Sequence, residues 1–155
     1  MTAIKRTIVG GVALAAMAFA LPAGAQFQKP EDAVRYRQSA FNVMGNHFSR
    51  IGAMVNGRVP FDAGAAQVNA DIVQSMSRLP YAGFIAGTES IGNTSALPEV
   101  WSQADKFKGA AQKMQDEVAK LSVAAKTGNA EQLKTAFGAA AASCKSCHDD
   151  FRKKP

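Results

Sequence analysis

The chain has 155 residues, 47% of them hydrophobic and 19% charged, and a formal net charge of +6. Its basic residues are scattered rather than clustered among aromatic residues, which argues against a nucleic-acid partner. A domain of this size buries about two-thirds of its unfolded surface. Its two cysteines are therefore not needed as a stabilising disulfide and require another explanation.

The N-terminus has the pattern of a secretory signal peptide. Lys5 and Arg6 give a basic start, positions 8–21 form an apolar run, and positions 23–25 read Ala-Gly-Ala. A membrane anchor would need about 20 apolar residues, and this run ends at Pro22. No later run is long enough to cross a membrane. We therefore expect a signal peptide at 1–25 and one mature domain at 26–155, soluble in the periplasm, with 16 basic and 12 acidic residues.

Four segments of the mature chain place apolar residues alternately three and four positions apart, the spacing of helices packed in a bundle. Pro30 suits the first turn of the first helix, because its missing N–H costs nothing there, and Gly57 and Pro60 close that helix. The predicted buried seams are, in chain order, Val34, Arg37, Phe41, Met44, Phe48, Ile51 and Val55; Val68, Ile72, Met76 and Leu79; Phe107, Ala111, Met114, Val118, Leu121 and Ala125; and Leu133, Phe137, Ala140, Cys144, Cys147 and Phe151.

Capping signals separate the later helices. Asp62 can cap the second helix, and Ser102 with Asp105 three residues later resembles a capping box before the third. Gly128 can end the third helix, and Asn129 can start the fourth. Few segments of the chain alternate apolar and polar residues with a period of two, so the sequence does not predict β-strands. The sequence predicts an all-α, antiparallel four-helix bundle, with an unusually long, glycine-rich connection at 80–98 of the kind that is often functional.

The last predicted helix contains Cys144-Lys145-Ser146-Cys147-His148, the attachment signal for a c-type haem. Residues three and four apart lie on one helix face, so both sulfurs can reach the vinyl groups along one edge of a porphyrin. His148, on the same face, can then bind the iron. Both cysteines fall on the predicted apolar seam, which places one covalently bound haem c per chain in the core of the bundle.

Three other interpretations of the cysteine pair are weaker. A disulfide is chemically allowed in an oxidising compartment. A thioredoxin-like pair would sit where a strand enters a helix, whereas this pair is near the end of the last helix. A zinc site normally needs four ligands, and beyond this motif the chain has one other histidine and no other cysteine.

The mature chain resembles the cytochrome c′ family of exported bacterial haem proteins over essentially its whole length. The resemblance rests on Gln26-Phe27, on positions 29–33 (Lys-Pro-Glu-Asp-Ala) and 36–40 (Tyr-Arg-Gln-Ser-Ala), on 87–89 (Gly-Thr-Glu) and 98–101 (Pro-Glu-Val-Trp), and on 142–148 around the haem motif. It implies a left-handed four-helix bundle with a five-coordinate, high-spin haem. Such proteins bind nitric oxide and carbon monoxide, are proposed to sequester nitric oxide or to move electrons to a redox partner protein, and are often homodimers through the first two helices.

The resemblance also assigns residues to the two faces of the haem. His148 would be the proximal ligand, and Phe41 would block the distal face without ligating the iron. Met44, one helical turn from Phe41, supports an alternative in which a His/Met pair makes a six-coordinate, low-spin electron carrier. Of the three hypotheses, a peroxidase-like enzyme ranks last. Cleavage of an O–O bond requires polar groups on the distal side of the haem, and this seam is apolar.

Five further residues complete the predicted haem surroundings. Arg37 is a charge on an apolar seam, which is costly unless paired, and a haem propionate is a suitable partner; its head could instead reach water. By resemblance, Gln38, Thr88 and Glu89 would also line the haem. Arg152, four residues after His148, should project on the proximal side, although a solvated surface arginine is the simpler interpretation.

Overall fold

The fold is described by a computed structural model for residues 26–154, so the predicted signal peptide lies outside the described residues. The elements are, in chain order, α1 (Pro30–Val55), α2 (Ala63–Met76), a 3₁₀ helix (Leu79–Gly83), a one-turn helix α3 (Glu99–Ser102), α4 (Ala104–Lys126) and α5 (Ala130–Phe151). Within 26–154 the only β-type pairing is an isolated antiparallel bridge between Ala96 and Arg152. No helix in this part of the chain combines the length and the apolarity that a membrane crossing requires.

The four long helices pack as a ring. α1 contacts α2 and α5, and α4 contacts the same two helices. Short connections join α1 to α2 and α4 to α5, so the helices in each of these pairs run antiparallel. The predicted all-α four-helix bundle is confirmed.

Most of the predicted helix boundaries are found. Asp62 Oδ1 accepts a hydrogen bond from Ala65 N at 2.8 Å, and Asn129 caps α5 in the same way. Gly128 has a φ of 68°, a left-handed conformation that glycine adopts without strain. The predicted capping box at Ser102 is wrong, because Ser102 ends α3 and the residue before α4 is Gln103, which makes no side-chain cap.

The predicted seam of α2 is found only in part: Met76 packs against the core, whereas Leu79 is 39% exposed. Val68 is 59% exposed, and the buried residues of this helix are Ala66, Asn69, Ala70 and Val73. Small alanines allow neighbouring helices to approach closely, yet they contribute little to a hydrophobic pattern. The larger Val68 therefore dominated the hydrophobic pattern of α2, although its side chain lies on the exposed face of the helix.

The long connection is fixed at both of its ends, and this determines its position over the bundle. Leu97 N donates to Phe151 O at 2.9 Å, and Lys153 N donates to Ser95 O at 2.8 Å. These bonds join the connection to the end of α5. At the other end of the connection, Arg37 of α1 donates to Gly83 O at 2.8 Å. The connection thus links the first and last helices of the bundle.

Gly83 is where the backbone of this connection comes closest to α1. A Cβ atom at Gly83 would lie 2.5 Å from Ala33 O and 2.9 Å from Arg37 Cβ. We expect Gly83→Ala to lower the free energy of unfolding by about 1–3 kcal/mol, the usual effect of overpacking. Gly109→Ala in α4 is the control, because nothing lies within 4 Å of its Cβ position and alanine favours the helix. Urea unfolding that ranked Gly83→Ala as stable as Gly109→Ala would contradict the close approach.

Candidate functional site

A cavity of about 550 Å³ lies at one end of the bundle, a volume typical of sites for small molecules and cofactors. The middle turns of α1, the first half of α4 and the end of α5 line it. The 3₁₀ helix and residues 94–96 complete the wall. The opposite end of the bundle is filled by apolar side chains such as Ile51, Leu121 and Leu133.

Cys144, Cys147 and His148 all line this cavity. The two sulfur atoms are not joined in a disulfide. Burial raises the pKa of Cys144, and burial, with smaller contributions from Cys144 and Asp150, raises the pKa of Cys147 to about 11. Both groups are therefore neutral thiols at neutral pH, half-buried in an apolar wall and presented from one face of α5.

His148 is exposed as a residue, but its imidazole borders the cavity and is partly shielded from solvent by the wall. This burial, together with the positive charge of Arg152, lowers the pKa of His148, and Asp149 opposes the shift. A neutral imidazole is the form that binds a metal ion. The other histidine, His47, lies elsewhere, with Nδ1 2.8 Å from Asn69 Oδ1.

Arg37 lines the cavity but is only 2% exposed. Its guanidinium donates to Gly83 O and Thr88 Oγ1, both at 2.8 Å, to Thr94 Oγ1 at 2.9 Å and to Thr88 O at 3.1 Å. Burial lowers the pKa of Arg37, and the nearby charge of Glu89 opposes that shift. Four of its five N–H groups are thus committed to the connection, so at most Nε–H remains for the haem propionate that the sequence predicted as its partner.

Thr88 and Glu89 do not line the cavity. Thr88 is fully buried, accepts from Arg37 through both its hydroxyl and its carbonyl and donates to Ile85 O at 2.7 Å. Thr88 therefore acts on the cavity wall indirectly, through Arg37, whereas Glu89 is linked to it only by its charge near that guanidinium. Gln38 and Arg152 do line the cavity, and Gln38 Nε2 also donates to Asn93 O at 2.9 Å.

The remaining wall is mostly apolar and aromatic. Phe41 and Met44 of α1 line it as the seam predicts. Tyr81, Phe84 and Phe107 also line it, and their rings contact one another with centroids 5.0–6.3 Å apart. Sequence reasoning assigned no site role to these three rings. Tyr81 and Phe84 could have been noticed as two aromatic residues close together in the long connection. Their spacing, however, does not indicate that their rings point into the cavity.

The cavity fits a c-type haem. Two thiols three residues apart and a histidine at the next position border one apolar space, and a buried arginine lies at its edge. Such a porphyrin would be held by Cys144 and Cys147, with His148 able to bind its iron. A four-helix bundle with this motif facing its interior defines the class of bundle c-type cytochromes.

Comparison with known proteins agrees with this class. The family model for cytochrome c′ matches residues 32–152. Cytochrome c′ from Rubrivivax gelatinosus is 49% identical over 129 residues, covering 83% of this chain and 100% of that protein. The crystal structure from the same organism has a TM-score of 0.80, 48% identity and coverage of 83% and 100%. A nitric oxide complex of a variant of cytochrome c′ from Alcaligenes xylosoxidans has a TM-score of 0.77, 46% identity and coverage of 84% and 100%. The chain belongs to the cytochrome c′ family and is a c-type haem protein.

Proposed function

We propose that this protein holds its haem through thioether bonds from Cys144 and Cys147, with His148 as the only protein ligand of the iron, and that it binds small gaseous ligands such as nitric oxide and carbon monoxide. The observation that carries this proposal is that His148 on α5 and Phe41 on α1 border one cavity from two different helices. A phenyl ring has no atom that ligates iron. The distal position is therefore covered by an apolar group that a diatomic molecule can displace.

The relatives support the same function. A cytochrome c′ variant from Alcaligenes xylosoxidans forms a nitric oxide complex, and its structure superposes on this chain over nearly the whole bundle. The cavity wall around Phe41 is apolar on the α4 side as well, with Phe107, Met114 and Val118. Such a wall suits small, weakly polar ligands. Phe41, the side chain that we place over the iron, offers no polar group for O–O cleavage, and we therefore propose ligand binding rather than catalysis.

Substituting Phe41 tests its role as the distal cover. We expect the ferrous Phe41→Ala protein to bind carbon monoxide at least about tenfold faster, because a steric barrier of about 1.4 kcal/mol corresponds to a factor of ten in rate. Flash photolysis or stopped-flow mixing measures the association rate. Phe61→Ala is the control, since Phe61 is 38% exposed and lies outside the cavity. An unchanged rate for Phe41→Ala would remove Phe41 from this role.

A second candidate function is electron transfer with a redox partner protein by a six-coordinate haem. It is favoured by the position of Met44, which is buried and borders the same cavity one turn after Phe41. A thioether sulfur bound opposite His148 would give a low-spin iron. The spin state of the ferric protein separates the two candidates, and Met44→Leu would change it only if Met44 were a ligand.

We further propose that two copies of the chain associate through α1 and α2, the two helices that the family resemblance implies, and both of these helices carry exposed apolar side chains. Val43 is 43% exposed and Val68 is 59% exposed. Val68→Glu would place a charge in that interface and should weaken dimerisation at least about tenfold, as measured by sedimentation equilibrium. Val123→Glu, which changes a 66% exposed residue of α4, is the control. Equal dissociation constants for the two variants would exclude this interface.

Export to the periplasm remains a proposal that rests on the sequence of residues 1–25. If the signal peptide is cleaved as we propose, the mature protein begins at Gln26. Mass spectrometry of the periplasmic fraction would detect that N-terminus.

A further inference from the structure

Tyr81 is the phenol in the wall of the haem cavity. It lies in the 3₁₀ helix that follows α2, half-buried, and it packs against both of the apolar clusters that surround the cavity. Its ring meets that of Phe41 edge-on, with centroids 6.1 Å apart and planes at 83°. On its other side it contacts the ring of Phe107 at 5.7 Å. Tyr81 is therefore held beside the residue that covers the distal face.

The hydroxyl of Tyr81 has no hydrogen-bond partner among residues 26–154, whereas the indole of Trp101 next to the same cluster donates to Ile85 O at 3.2 Å. Tyrosine hydroxyls in buried surroundings normally find a partner. Burial raises the pKa of Tyr81. The phenol therefore keeps its proton at all physiological pH values and is available as a donor.

We propose that Tyr81 determines ligand specificity at the haem by donating a hydrogen bond from its hydroxyl to the negatively polarised outer atom of a diatomic ligand on the iron. This inference rests on the proposed function. Tyr81 lines the cavity and no protein group within residues 26–154 accepts from its hydroxyl, so a ligand held in the cavity can accept that hydrogen bond. Phe41 is in edge contact with the Tyr81 ring, so movement of Phe41 on ligand entry would open space directly beside the donor.

The hydrogen bond would favour ligands according to the negative charge on their outer atom. Donors on the distal side of a haem are among the factors that decide which ligand is held. Carbon monoxide is a convenient probe, because a donor near its oxygen lowers the C–O stretching frequency. The chemical change in Tyr81→Phe is the loss of one oxygen atom, and the ring contacts with Phe41 and Phe107 are retained.

The test uses the ferrous holoprotein with carbon monoxide. We expect Tyr81→Phe to raise the C–O stretching frequency in the infrared spectrum and to speed carbon monoxide dissociation about fivefold, the effect of losing one ordinary hydrogen bond. Tyr36→Phe is the matched control, because Tyr36, the other tyrosine of the chain, packs against Phe27 at 5.2 Å and does not line the cavity. In the unmodified protein, transfer to D₂O should shift the same band, which tests the donor without any substitution.

The outcomes separate this inference from the function on which it rests. If Tyr81→Phe and the unmodified protein share one stretching frequency, one dissociation rate and no response to D₂O, Tyr81 is not a donor to the ligand, while gas binding stands. If the unmodified ferrous protein binds no carbon monoxide, the proposed function and this inference are both overturned.

Discussion

Replacing Cys144 and Cys147 together with alanine is expected to give a protein that carries no covalently bound porphyrin. Both thiols border the cavity from one face of α5, and no other cysteine exists in the chain. Each single substitution should leave one thioether bond, so porphyrin should remain attached but with one link fewer. The mass of the acid-denatured protein measures attachment directly, without regard to how well the haem pocket forms.

Ser146→Ala is the matched control for the cysteine variants, because Ser146 lies between the two cysteines and is exposed. Its denatured mass should include one porphyrin. Porphyrin mass retained by the double cysteine variant would mean that attachment does not occur through this motif.

Arg37→Met is expected to lower the free energy of unfolding by about 3 kcal/mol or more. The guanidinium supplies donors to Gly83 O, Thr88 O and the hydroxyl of Thr94, and each buried acceptor left without a donor costs about 1–3 kcal/mol. The cation also stacks over Phe84, 4.5 Å from the ring centroid, and that contact would be weakened. Denaturant unfolding of the haem-loaded protein measures the loss.

Arg35→Met is the control for this prediction. Arg35 lies two residues earlier in α1, its side chain is 74% exposed, and it pairs with Asp32. An exposed ion pair contributes about 0–1 kcal/mol, so this variant should unfold close to the unmodified protein. Equal stabilities for the two arginine variants would show that the connection at 80–98 does not depend on Arg37. Faster amide hydrogen exchange in that connection, seen with Arg37→Met alone, would show that it does.

The sequence predicted the elements whose signals are local. Periodicity located the four long helices, and Asp62 and Asn129 marked two of their starts because capping depends on residues two or three positions away. The haem motif was recognised for the same reason, since the spacing of Cys144 and Cys147 is itself the chemical requirement. Residues 34–55 of α1 followed their predicted seam because large side chains dominate both the pattern and the packing.

The errors arose where packing is decided between distant segments. α2 packs through the small residues Ala66 and Ala70, so the more hydrophobic Val68 misled the prediction. The role of Arg37 depends on a connection about 50 residues later in the chain. No local pattern reveals that Thr88 and Thr94 accept hydrogen bonds from its guanidinium. Tyr81 was missed because its direction is set by contacts with rings on α1 and α4, which only the folded bundle brings together.

The ferric protein, purified with its haem, provides the most direct test through its spin state by electron paramagnetic resonance and optical absorption. If His148 alone ligates the iron and Phe41 only covers the other face, the spectra are those of a high-spin, five-coordinate haem, and adding nitric oxide changes them. A low-spin signal with a sulfur-to-iron charge-transfer band, unchanged by nitric oxide, would contradict this account and assign the sixth position to Met44.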